Sequence, residues 1–146
     1  MAQFGRPEAD ITNQSFTDQA ASGTTIFDVL DETVADDNDY IQSAVAPTND
    51  VYVTRLSDVE DPVSSSGHIV RYRYRKSAAG GAQIDLNVQL RQGYVSEGTP
   101  GTLIEEWDHV DISDTITAAA QTLGGTEADL ITDYTSLFLR FTFNQV

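Results

Sequence analysis

His68-Ile69-Val70-Arg71-Tyr72-Arg73-Tyr74-Arg75 alternates without a break, with Val70, Tyr72 and Tyr74 on one side and Ile69, Arg71, Arg73 and Arg75 on the other. A period of two is that of a half-buried β-strand. The alternation returns in Ile84, Leu86, Val88 and Leu90, interleaved with Asp85, Asn87 and Gln89. Between the two runs, Lys76-Ser77-Ala78-Ala79-Gly80-Gly81 supplies turn residues. Both apolar sets fall on even numbers, so a hairpin can bury them on one face only if paired numbers have an even sum. A sum of about 158 closes the glycine loop and predicts Tyr72 opposite Leu86 and Arg73 opposite Asp85.

Working outward, Val51-Tyr52-Val53-Thr54-Arg55-Leu56 reads as another strand, bracketed by turn residues Pro47-Thr48-Asn49-Asp50 and Ser57-Asp58. Leu103 to Ile112, holding the one tryptophan, Trp107, reads as one bent strand, and Thr115 to Leu123 as a short one stopped by Gly124-Gly125. Thr126-Glu127-Ala128-Asp129 has a capping-like Thr followed by acids and predicts a helical turn near 126–132. Leu137, Leu139, Phe141 and Phe143 alternate with Phe138, Arg140, Thr142 and Asn144, and four large apolar side chains on one face predict a central strand. Thr25 to Leu30 is a buried strand or a single turn. Residues 1–23 hold only Phe4, Ile11 and Phe16 as apolar anchors and close on Ser22-Gly23. They read as an extended arm or irregular first strand that covers a neighbour or its own domain. The expected fold is all-β: an antiparallel two-sheet β-sandwich, jelly-roll-like, over 24–146, preceded by the arm.

Composition narrows function by exclusion. The 146 residues carry 8 Lys+Arg against 23 Asp+Glu, a net charge of −15, which opposes phosphate backbones and anionic membranes. There is no cysteine, hence no disulfide, thiolate nucleophile or Cys-ligated metal. No apolar run is long enough for a transmembrane helix, and Met1 to Pro7 lacks the apolar stretch of a secretory signal.

Candidate catalytic groups do not assemble into a motif. His68 and His109 are far apart in sequence, and Ser64-Ser65-Ser66-Gly67-His68 is no nucleophile elbow. Glu105 and Glu106 point to opposite faces of a strand and cannot be a glycosidase pair. Six acids fall within residues 28–39, and Asp36, Asp37 and Asp39 make a weak calcium candidate that lacks the EF-hand glycine and final glutamate. A solvated acidic turn is the simpler expectation. Trp107 fits either the core or a sugar-stacking platform. Neither enzyme activity nor a cofactor is expected. The local anomaly is cationic: Arg71, Arg73, Arg75 and Lys76 are half of the positive residues, suited either to internal pairing or to an acidic patch on a partner.

The segments Gly67-His68-Ile69-Val70-Arg71-Tyr72-Arg73-Tyr74-Arg75-Lys76, Asp85-Leu86-Asn87-Val88-Gln89-Leu90-Arg91-Gln92-Gly93 and Asp129 to Arg140 resemble those of small structural proteins of tailed-bacteriophage virions, as do Arg6-Pro7 and the Asp36 to Ile41 run. The resemblance implies a β-sandwich on a capsid or tail, foremost a capsid decoration (cement) protein. Such a protein binds the major capsid protein on the outer surface of the shell as a homo-oligomer, a trimer. The alternative is a carbohydrate- or receptor-binding module of a fibre or tail. On this basis the partner-binding residues are Phe4, Arg6, Ile11 and Phe16 on the arm, with Arg71, Arg73, Arg75 and Lys76, and the arm is expected to be dispensable for folding.

Overall fold

The computed structural model describes residues 2–19, 25–78 and 80–146. The arm boundary expected at residue 23, with Ser22-Gly23, lies outside the described residues, as does Ala79 of the glycine loop. The strands are β1 (Pro7–Asn13), β2 (Thr17–Asp18), β3 (Ile41–Gln42), β4 (Asp50–Leu56), β5 (Ile69–Tyr74), β6 (Ile84–Gln92), β7 (Thr102–His109), β8 (Thr117–Thr122) and β9 (Leu137–Gln145). A 3-10 turn, Phe27–Val29, and a single-turn helix α1, Gly125–Ala128, complete the described elements. The chain is nearly all β, with antiparallel sheets packed against each other.

One layer is a five-stranded sheet of order β1-β4-β9-β6-β7, every pair antiparallel. The C-terminal strand is its centre because it has an apolar surface on both faces. Leu137 and Leu139 enter the main core with Phe141 and Phe143 against them, while Phe138 enters a second cluster with Val51, Val53 and Tyr94 on the opposite face. The other layer holds the two-stranded ribbons β5-β8 and β2-β3. The main core between the layers includes Tyr72, Leu86, Val88, Leu90, Ile104 and Leu123.

The predicted hairpin is not formed. β5 pairs with β8, placing Tyr72 opposite Ala119 and Arg73 opposite Ala118, and β6 pairs with β7 and β9. Tyr72 and Leu86 do share a core, but from facing layers instead of neighbouring strands. Alternation specifies which side chains are buried; two such strands satisfy it equally by stacking or by hydrogen bonding.

The N-terminal segment covers its own domain. β1 pairs with β4, and β2 with β3. The Asn13 side chain donates to Phe16 O and accepts the Phe16 N–H, a local turn that swings Phe16 inward against Tyr52 and Phe143, with ring centroids 5.7 and 5.8 Å apart. The helical turn is shorter than expected, and its N-cap is Gly124 with no side-chain cap bond, so Thr126 does not cap it.

Candidate interaction surface

The outward face of the β5-β8 ribbon gathers the cationic residues. Alternation sends Val70, Tyr72 and Tyr74 to the core and Ile69, Arg71 and Arg73 outward, while opposite them Ala118, Ala120 and Thr122 of β8 are exposed. Arg73 Nη2 lies 3.1 Å from Asp37 Oδ2, and the Arg75 guanidinium sits over the Tyr40 ring, 5.9 Å from its centroid. The acidic run at 36–40 therefore folds against one end of the stripe. Lys76 Nζ donates to Asp111 Oδ1 at 2.8 Å and its side chain is only 13% exposed, so it is a structural tie and not a docking residue. Arg71 is exposed and, among the described residues, has no ion pair.

The expected arm anchors divide. Phe4 is 62% exposed and lies under the Arg6 guanidinium at 5.5 Å, and Ile11 on β1 is 39% exposed. Arg6 is directed inward by a bond from Nη1 to Glu32 O, and its backbone exchanges bonds with Ser57. Phe16 is 4% exposed, which corrects its expected role: a core side chain offers no surface to a partner.

The acidic loop is occupied internally. Asp36 accepts from the Asn38 backbone and side chain, Asp37 faces Arg73, and Asp39 accepts from Gln19 Nε2 at 2.8 Å. Among the described residues no group of three or more His, Cys, Asp or Glu converges to hold a metal ion. The neighbouring Glu32 carboxyl has a buried Oε1 without a hydrogen-bond partner. It is pushed above its ordinary pKa by burial, and by Asp39 and Asp31.

Each histidine is taken up by tyrosine, an arrangement with no spacing signal in the sequence. His109 bridges two residues of one strand face, with Nε2 at 2.7 Å from Tyr72 Oη and Nδ1 at 3.0 Å from Tyr74 Oη. Burial lowers its pKa, against a smaller opposing pull from Asp108. His68 Nε2 lies 2.7 Å from Tyr134 Oη while its buried Nδ1 has no hydrogen-bond partner, and in the serine loop before it Ser65 Oγ donates to Asp129. Trp107 packs on the core 6.3 Å from the Tyr72 ring. Glu105 accepts the Glu106 N–H, and Glu106 accepts the amides of Asn87 and Gln89. An open cleft of about 550 Å³ is lined by Gln3, Asp58, Glu60, Asp61, Asp133 and Thr135, among others; its one hydroxyl–carboxylate pair among the described residues is Thr135 Oγ1 donating to Asp133 Oδ1 at 2.7 Å, a turn in which the same oxygen also accepts the Thr135 N–H. No helix among the described residues is long and apolar enough to cross a membrane.

Comparison with known proteins finds no matching family model, no matching curated protein and no matching solved structure.

Proposed function

We propose that this chain is a non-enzymatic structural protein of a tailed-phage virion, a decoration protein that binds the major capsid protein on the outside of the shell. The observation that carries the proposal is the outward ribbon face. Arg71 stands without an ion pair between the partly engaged Arg73 and the neutral residues of β8, in a chain whose net charge is −15. Arginine suits planar recognition of carboxylates, and repeated copies on a lattice need only modest affinity per contact. The groups best placed for chemistry, His68, His109, Glu105 and Glu106, are each held by neighbouring side chains or backbone. Phe4 and Ile11 add exposed apolar contact. A glycan-binding role has less support, because Trp107 lies against Tyr72 instead of standing free.

The test is co-sedimentation of the protein with purified capsids that lack it. Wild type is expected to bind, more weakly as salt rises, and Arg71→Ala is expected to lower affinity about tenfold. Absence of binding by the wild type would overturn the proposal, and binding indifferent to both salt and Arg71→Ala would remove the ribbon from it.

A further inference from the structure

Every exposed sheet edge offers unpaired N–H and C=O groups to another strand, and folds block such edges with charge, proline or irregular register. Edge strand β1 has all three: Pro7, Glu8 and Asp10, and two register shifts against β4. Edge strand β7 carries Glu105, Glu106 and Asp108 and a shift against β6, and the Glu106 N–H is already taken by Glu105 Oε1 at 2.9 Å. β5 carries Arg71 and Arg73. β8 has none of these. Thr117-Ala118-Ala119-Ala120-Gln121-Thr122 holds no charge, proline or glycine, and pairs with β5 through six consecutive residues without a shift.

The phase of its free groups follows from the ladder. Leu123 N donates to His68 O at 3.0 Å, so the hydrogen-bonded pairs recur two residues on at Val70/Gln121, Tyr72/Ala119 and Tyr74/Thr117. The N–H and C=O groups of Ala118, Ala120 and Thr122 then point away from β5, and among the described residues nothing pairs with them.

We propose that β8 pairs with β8 of a second copy, antiparallel and about a twofold axis at Ala120. Ala120 meets the partner's Ala120, and Ala118 meets the partner's Thr122, as hydrogen-bonded pairs. The two ribbons become one four-stranded sheet, and Arg71 and Arg73 of both copies lie on its single outward face. The occupant is a second copy because the free groups of Ala118, Ala120 and Thr122 fall symmetrically about Ala120, and the side chains brought opposite each other are small and uncharged; the net charge of −15 on each copy opposes the contact elsewhere. Two such chains meet with least repulsion where the pairing strands have no charge, and small alanine side chains let the backbones close to ladder distance. A twofold contact closes on itself, so the species it builds is a dimer and not a filament. A six-residue edge buries less than the ~1,200 Å² of a standard interface, so the dimer is weak in dilute solution and favoured by crowding on a surface.

Sedimentation velocity of the full chain up to about 1 mM tests the contact without reference to capsids. The wild type is expected to dimerise reversibly, and more tightly as salt screens the net charge, the opposite trend from capsid docking. Ala120→Pro removes an N–H that β5 does not use, and Ala118→Lys puts a charge on the edge at an exposed position. Each is expected to weaken dimerisation at least about tenfold with unchanged circular dichroism. If Ala120→Pro perturbs the fold, Ala118→Lys decides. A wild type that stays monomeric throughout, or a dimer insensitive to the folded edge variants, overturns the proposal. In the latter case another surface of the chain forms the dimer; in the former, the open edge is left to a strand of a different protein.

Discussion

Tyr52 Oη donates to Asp10 Oδ1 at 2.7 Å, and the other carboxylate oxygen of Asp10 accepts the Ile26 N–H at 2.7 Å. Tyr52 is fully buried on β4, and burial holds its hydroxyl above its ordinary pKa, so it remains a donor at any physiological pH. One carboxylate thus ties β1, β4 and the 3-10 turn that follows Ile26 into a unit around Phe16, Ile26 and Tyr52.

Tyr52→Phe is therefore expected to destabilise the fold by about 1–2 kcal/mol, because it leaves a carboxylate oxygen without its donor. Urea titration measures this, and an unchanged midpoint would show that the bond contributes nothing net. Removing residues 1–20 takes away β1, Asp10 and Phe16 together and is expected to unfold the chain by circular dichroism. Removing residues 1–5 is expected to leave it folded.

Arg140 grips Glu97 with two of its three nitrogens, Nε at 2.9 Å and Nη2 at 2.6 Å, and Tyr94 donates to Glu97 at 2.7 Å. The Arg140 bonds hold the Glu97 carboxyl below its ordinary pKa. A depressed acid adds stability that is present above its unfolded pKa and is lost as pH falls through the lower folded value. Glu97→Gln is expected to flatten acid unfolding in that window. At neutral pH it should cost about 1 kcal/mol, since the Glu97 side chain is 37% exposed and partly screened.

His109 titrates in the opposite chemical sense and yields the same sign. Burial lowers its pKa, so below the ordinary histidine value of about 6.5 the unfolded chain binds the extra proton first, and stability falls as pH drops toward the folded value. His109→Gln is expected to remove that part of the slope in thermal melts between neutral and mildly acid pH. An unchanged slope would mean that the imidazole between Tyr72 and Tyr74 titrates as it does in solvent.

Gly101 has φ +66°, and a Cβ there would lie 2.2 Å from Gln92 O. Both atoms are backbone-bound, so neither can give way cheaply. Gly101→Ala is expected to cost about 2 kcal/mol or more and to loosen the loop that carries Tyr94 and Glu97, read as a lowered melting temperature. Gly98→Ala, whose nearest added contact is 3.8 Å from Ser96 Oγ, is the control and should be close to neutral.

Burial was legible wherever a strand alternates. Val70, Tyr72 and Tyr74 face inward as their period requires, and the two apolar faces of β9 account for its central place. The hairpin was not legible, because even-numbered apolar residues in β5 and β6 are satisfied by any arrangement that points both sets at one core. Phe16 had no period to mark it and was turned inward by the Asn13 side chain. Of the cationic stripe, sequence identified the shared outward face. It could not tell that Arg73 and Arg75 meet the 36–40 run, that Lys76 meets Asp111, or that Arg71 meets no acid.

From the amino-acid order alone came an acidic all-β chain, the positions of its longer strands and the inward side of each, since these depend on nearest-neighbour geometry with a period of two. Which strands pair, that the β8 edge is left open and which of the arginines meet an acid were decided only in three dimensions. Four of the five ion pairs among the described residues join residues 35 or more positions apart, as with Lys76 and Asp111, and no local pattern encodes the distance between them.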